Sequence, residues 1–359
     1  MKSVDRVLGW DLLRGLCAIA VAGYHLLMWQ KVIDIHTFGS YGVYLFFVLS
    51  GASLAYTYID RIAENRFSFT SFMWVRYLRL APLYLALMLL VLPWKLLKDG
   101  ATADLWVAYL LNASLLFGFY NPSTHAVLVG GWSLGIEVIF YLLFPFLVWS
   151  LRSRWIAWGV FGALLALQIT WIALTIGAPS GYFSNAEAYH QAPAFAAYFM
   201  GGCLLGAAKR RGALKALPFE RLGLIGLVAG FALMFAVNPV RQGDELTGWR
   251  GILLCSLCFT LVSLASRLDL TKTTAGVARH FGDATYGVYL LHPVIFFGLA
   301  FVVSPRLGIP DPGEWPMPAR LLLTAVVVFV SFCLALLSER YFEKPIRQRS
   351  KLLHKPLMA

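Results

Sequence analysis

The sequence predicts an all-α, polytopic membrane helix bundle of about ten crossings plus one short re-entrant or interfacial segment, and three observations carry that prediction. Of the 359 residues, 59% are hydrophobic and only 13% are charged, against about 25% charged in soluble domains. Apolar runs long enough to cross a bilayer, for which about 20 residues suffice, recur along the whole chain. Lys and Arg are also distributed unevenly between the connecting loops, as cytoplasmic enrichment of basic residues requires. That topology, with anionic lipid on the inner face, accounts for the net charge of +12. No nucleic-acid partner is implied, because no basic patch is interleaved with soluble aromatic modules.

The apolar stretches fall at 9–30, 41–59, 77–97, 104–120, 132–150, 155–177, 193–208, 221–238, 251–266, 283–303 and 319–338. The fourth, DLWVAYLLNASLLFGFY, is short, carries Asn112 and Ser114, and runs into the loop-like NPSTH. With that stretch not crossing and the N-terminus inside, about 22 Lys and Arg fall inside against about 7 outside. Counting it as a crossing gives about 10 inside against about 19 outside. Ten crossings follow, in the inner (cytoplasmic) membrane, with both termini cytoplasmic. The chain reads as one integral-membrane domain over 1–359, with a core at about 9–347 and a basic tail at 348–359. The first segment lacks the small-residue cleavage site of a signal peptide. The five cysteines all lie in apolar segments and read as packing residues. Oligomeric state is not legible from the sequence.

Ionisable groups inside such spans are costly, which makes them candidate functional residues. The first span carries Asp11, Arg14 and His25. Helical geometry puts Arg14 and His25 roughly 16 Å apart along the axis and about 20° apart around it, on one face at two depths. Arg14 can snorkel, pair with Asp11 one turn earlier, or serve a cavity. His25 is the natural general base at neutral pH. In the second span, Ser50 and Gly51 read as close-packing residues. Arg76 and Arg79 share a helical face where the third span begins, either as positive-inside anchors or as two forks for phosphate. Glu137, in WSLGIEVIFYLLFP, lies about 8 Å inside its helix, at the depth of His25. A His and a Glu at matched depth invite an orienting hydrogen bond. YGVYLLHPV places Tyr286, Tyr289 and His292 so that they can line one polar channel. In SERYFEKPIRQR, Glu339, Glu343 and Pro345 stop the last long helix. No metal-ligand cluster, phosphate-cradling glycine loop or serine-hydrolase elbow appears, and no metal is expected.

Taken together, LLRG followed by His25, FFVLSG, Arg76-x-x-Arg79 with Pro82-x-Tyr84, WSLGIEVIFYLLFP, YGVYLLHP and the closing E-x-x-x-E-x-P resemble the membrane-bound acyltransferase 3 family. The resemblance runs from residue 10 to about 347, and the order and spacing of individually weak motifs carry it. It implies an O-acetyltransferase of surface carbohydrates, such as lipopolysaccharide, exopolysaccharide or peptidoglycan. The donor is acyl-CoA, usually acetyl-CoA, drawn from the cytoplasm, and the acceptor is a carbohydrate or glycolipid hydroxyl. The family's membrane arginine and histidine map onto Arg14 and His25, its RxxR pair onto Arg76 and Arg79, and its helix glutamate onto Glu137. The expected mechanism has Arg76 and Arg79 hold donor phosphates, with Tyr286 and His292 also on the donor's path. The pantetheine arm passes Arg14, His25 takes the acceptor's proton, and Glu137 orients the imidazole. A second class, a proton-coupled exporter of a small molecule, uses the same intramembrane Arg, His and Glu.

Overall fold

The computed structural model describes residues 5–33, 36–176, 185–217, 219–237 and 244–353; the end of the predicted tail, 354–359, and residues 177–184, between the sixth and seventh apolar stretches, lie outside them. The helices in chain order are α1 (Leu8–Trp29), α2 (His36–Ala63), α3 (Phe69–Asp99), α4 (Ala103–Ser114), α5 (Pro122–His125), α6 (Trp132–Ser150), α7 (Arg154–Thr175) and α8 (Asn185–Tyr189). They continue as α9 (Ala196–Arg210), α10 (Glu220–Ala236), α11 (Gly248–Ser266), α12 (Lys272–Gly298), α13 (Ser304–Arg306), α14 (Met317–Ser338) and α15 (Lys344–Leu353). Among the described residues there is no strand, and eight helices there are long and apolar enough to cross a membrane. The protein is an all-α polytopic bundle. The seventh and eighth apolar stretches form α9 and α10, of 15 and 17 residues.

The fourth stretch forms the short helix α4 followed by a 3-10 turn at Leu116–Phe119. Thr102 starts α4 by accepting from the Leu105 backbone N–H at 3.3 Å, the usual N-cap satisfaction of an orphan donor. After the twelve residues of α4, Leu115 turns the chain left-handed at φ +60°. Twelve residues at 1.5 Å rise make about 18 Å, well short of a roughly 30 Å hydrocarbon core.

The chain forms two compact units. Unit 1 comprises Met1–Cys17, His36–Phe67 and Ile139–Gly282; unit 2 comprises Ala18–Ile35, Ser68–Val138 and Asp283–Ala359. Accordingly α1, α6 and α12 contribute residues to both. Unit 1 is built on the seam between α2 and α9, where Gly51, Gly202 and Gly206 bring the helices to backbone contact. A Cβ at Gly51 would overlap the Phe199 carbonyl, one at Gly202 the Val48 carbonyl, and one at Gly206 the Ala52 carbonyl. Small residues serve this purpose where two membrane helices must approach closely.

Unit 2 is less regular. Pro82 and Pro93 lie inside α3, Pro293 lies inside α12, and π-helical turns occur at Leu299–Val303 and Glu339–Glu343. Such distortions concentrate at functional sites. The segment between α4 and α6 is non-repetitive apart from a 3-10 turn at Leu116–Phe119 and the four-residue α5. Asn112, fully buried, holds it in place. Its Nδ2 donates to the Ala108 and His125 carbonyls, and its Oδ1 accepts from the Val127 N–H at 3.1 Å and from the Tyr84 hydroxyl.

Candidate active site

Unit 2 brings His25 and His292 together. His25 Nδ1 lies 2.9 Å from His292 Nε2, and the rings are close to coplanar, 12° apart. His292 is buried, and its Nδ1 donates to the Val288 carbonyl at 2.9 Å. Trp29, one turn after His25 on α1, stacks on the His25 ring with centroids 5.0 Å apart at 9°. Phe296 and Phe297 pack against Trp29 in turn, and Tyr24 flanks His25 at 5.2 Å. His25 itself is half-buried, so its ring is held on two sides and still reachable. Trp29 was absent from the sequence prediction, although an aromatic residue four positions after a candidate base was a readable signal.

The start of α6 forms a second part of the site. The Tyr289 hydroxyl donates to the Gly130 carbonyl at 2.8 Å and meets the Ser133 hydroxyl at 3.0 Å. Gly130 is required there. Its φ of +78° is left-handed, and a Cβ would come within 2.9 Å of the Tyr289 oxygen. Glu137, one turn further along α6, is half-buried and within electrostatic range of Tyr289. Ser133 and Gly130 were missed because nothing in their spacing announces a partner 156 and 159 residues away in sequence.

Arg76 and Arg79 lie inside α3, which begins at Phe69, in the same unit. The Arg76 guanidinium lies 5.8 Å from the Phe72 ring centroid, while Arg79 is exposed and within electrostatic range of Glu343. Glu343 is buried, accepts from Ser338 at 2.8 Å and pairs with Arg347 at 3.7 Å; Arg347 also pairs with Glu339. The closing E-x-x-x-E does not stop the helix as the sequence predicts: it forms a π-helical turn through which α14 continues into α15, past Pro345, and it sets Glu343 near Arg79. The Tyr286 hydroxyl donates to the Leu80 carbonyl, tying α12 to α3.

Arg14 belongs to unit 1. Its Nη1 pairs with Asp11 at 3.1 Å, and its Nη2 donates to the Leu49 carbonyl at 3.2 Å and to the Ser53 hydroxyl. Arg6 also pairs with Asp11, which is itself buried. The guanidinium fork thus fastens α1 to α2, with its charge offset one turn away.

Known proteins resemble the chain, two of the three named here over most of its length. The O-acetyltransferase OatA of Staphylococcus aureus is 25% identical over 95% of this chain and 57% of its own length. The peptidoglycan O-acetyltransferase OatA of Listeria monocytogenes is 26% identical over 94% of this chain and 55% of its own. The acyltransferase MdmB of Streptomyces mycarofaciens is 31% identical over 43% of this chain and 44% of its own. The chain therefore spans little more than half the length of the two OatA relatives. No solved structure matches it. The family described as "Acyltransferase domain" matches residues 7–338, and with so much of the sequence accounted for, the chain belongs to the acyltransferase 3 family.

Proposed function

We propose that the chain is a membrane O-acyltransferase that moves an acyl group, acetyl in the first instance, from acyl-CoA to a hydroxyl of a carbohydrate or glycolipid. The observation that carries this reading is the His25 imidazole, reachable on α1 and held by His292 and Trp29 in a member of an acyltransferase family. A neutral imidazole is the side chain best matched to taking a proton from an alcohol near pH 7. As the acceptor oxygen attacks the thioester carbonyl carbon, its proton passes to His25. When the C–S bond breaks, His25 returns that proton to the departing thiolate.

Arg76 and Arg79 are assigned to the donor's phosphates. Two guanidiniums at adjacent positions on one helical face supply the bidentate forks that phosphate groups take. The Glu339, Glu343 and Arg347 network moderates the charge of that surface when no donor is present. Glu137 and Tyr289 are assigned to the far side of the reacting centre, where Glu137 balances positive charge developing on the imidazoles. Arg14 is assigned to holding the first half of α1. This reading places RxxR on the cytoplasmic face of the inner membrane, with both termini inside. The Listeria relative's name makes peptidoglycan one acceptor to test.

The test is acyl transfer from labelled acetyl-CoA in membranes carrying the wild type, His25→Ala or His25→Gln at matched levels, with mass spectrometry of envelope glycans from cells with and without the gene. The expected result is a glycan mass difference of one acyl group that disappears in both variants. Transfer surviving in either variant removes His25 from the chemistry. Sealed vesicles that move a small molecule without consuming acetyl-CoA would replace the whole reading with that of an exporter.

A further inference from the structure

We propose that His292 sets the tautomer of His25, making His25 Nε2 the atom that takes the acceptor's proton; this rests on the acyltransferase reading above. The argument starts at a group with no choice of role. A backbone carbonyl can only accept, so the Val288 oxygen, 2.9 Å from His292 Nδ1, requires a proton on that nitrogen. That acceptor fixes His292 as the Nδ1–H form.

In a neutral imidazole the other ring nitrogen is then an acceptor. His292 Nε2 lies 2.9 Å from His25 Nδ1, so His25 Nδ1 carries a proton and donates it. One step further along the chain, His25 Nε2 is left as the lone pair. The Val288 carbonyl thus determines, through two rings, which atom of the first helix is basic.

This arrangement also serves the charged state. Once His25 Nε2 has accepted the hydroxyl proton, its Nδ1–H becomes a charge-assisted donor to a neutral His292. The Trp29 face, 5.0 Å from the ring centroid, stabilises the imidazolium from above. Returning the Nε2 proton to the leaving thiolate restores the starting tautomers, so the cycle needs no exchange with water. In this role His292 is a positioning residue that acts through His25 without meeting the substrate.

The experiment uses the full chain in lipid nanodiscs with 15N-labelled histidine. The His25 signals are those lost in His25→Gln. The expected result is a protonated Nδ1 and an unprotonated Nε2 on His25 in the wild type. His292→Phe, which keeps the ring, should give a mixture with the Nε2–H form. His292→Gln, whose carbonyl oxygen can still accept from His25, should restore the wild-type pattern. In transfer assays with labelled acetyl-CoA, His292→Phe should lower kcat by about 10²-fold or more. The KM for acetyl-CoA should stay within about twofold, and His292→Gln should recover much of the loss.

An Nε2–H signal on wild-type His25, an unchanged kcat in His292→Phe, or a change confined to KM would each overturn the proposal. Wild type that transfers nothing to any acceptor would overturn the acyltransferase reading instead, and the nitrogen spectra would still decide the tautomer on their own.

Discussion

Unit 1 and unit 2 solve the problem of polar groups in an apolar chain in opposite ways. In unit 1 the polar groups are closed on themselves. Arg14 meets Asp11, Ser53 and a carbonyl; Arg210 pairs with Asp60 at 2.6 Å; buried Glu245 accepts from Ser40 at 2.6 Å. Its helices approach through glycine seams in which backbone touches backbone. In unit 2 the helices carry prolines and π-helical turns, and the imidazoles, Tyr289, Ser133 and the RxxR pair gather around that irregular backbone. Satisfied polar pairs make a scaffold, whereas reactive ones need elements that regular helices do not supply.

The comparison breaks most visibly at the α2–α9 seam. Gly206→Leu would drive a side chain into the Ala52 carbonyl, a clash with backbone that no rotamer relieves. We expect a loss of at least about 3 kcal/mol, at the upper end for overpacking. It should appear as a large fall in the detergent melting temperature and in the amount of folded protein in membranes. Acyl transfer per folded molecule should change little. A variant with normal stability and no activity would mean that the seam belongs to the chemistry.

In unit 2 the matching test is Asn112→Ala. The amide serves four partners on α3, α4 and the segment before α6, and its removal leaves buried groups unsatisfied at about 2–3 kcal/mol in all. Hydrogen exchange should rise first at the amides of 121–131, ahead of global unfolding. Transfer should fall along with it, because that segment carries Gly130 to Tyr289. Uniformly faster exchange across the chain would show that the two units unfold as one.

What the sequence revealed and what it hid follow the same division. The stretch at 132–150 matches α6, and the short fourth stretch announced itself through Asn112 and its turn residues, because hydropathy and local breakers are properties of neighbours in sequence. The start of α12 was hidden. The apolar window begins at 283, yet the helix starts at Lys272, where the polar TTAGVARHFGD gives no apolar signal. Glu220, some 50 residues earlier, supplies the start by accepting from the Thr271 N–H at 3.2 Å and the Thr274 hydroxyl at 2.6 Å. His25 was legible as a lone imidazole in a membrane helix. Its partner was not, because 267 residues separate it from His292 and no periodicity reaches that far.

The smallest effect lies in unit 1, at His190, in the turn between α8 and α9. Its ring stands edge-on to that of Tyr189 at 5.0 Å, and Tyr189 is itself buried and accepts from the Tyr44 hydroxyl at 2.7 Å. Burial pushes the His190 imidazole down to about 4, below the value of about 6.5 it has when solvated. Above pH of about 6.5 the ring is neutral whether the chain is folded or not, and stability does not depend on it. Between about 6.5 and 4 the unfolded chain binds the proton first, so stability declines as pH falls through that window. Allowing for its partial exposure, the loss is about 1–2 kcal/mol. Melting temperatures at pH 7 and pH 4.5 for wild type and His190→Gln measure it: the wild type should lose more on acidification, and the variant's curve should be flatter. Parallel curves would place the acid sensitivity of unit 1 elsewhere and leave its polar groups closed at every pH where the chain is folded.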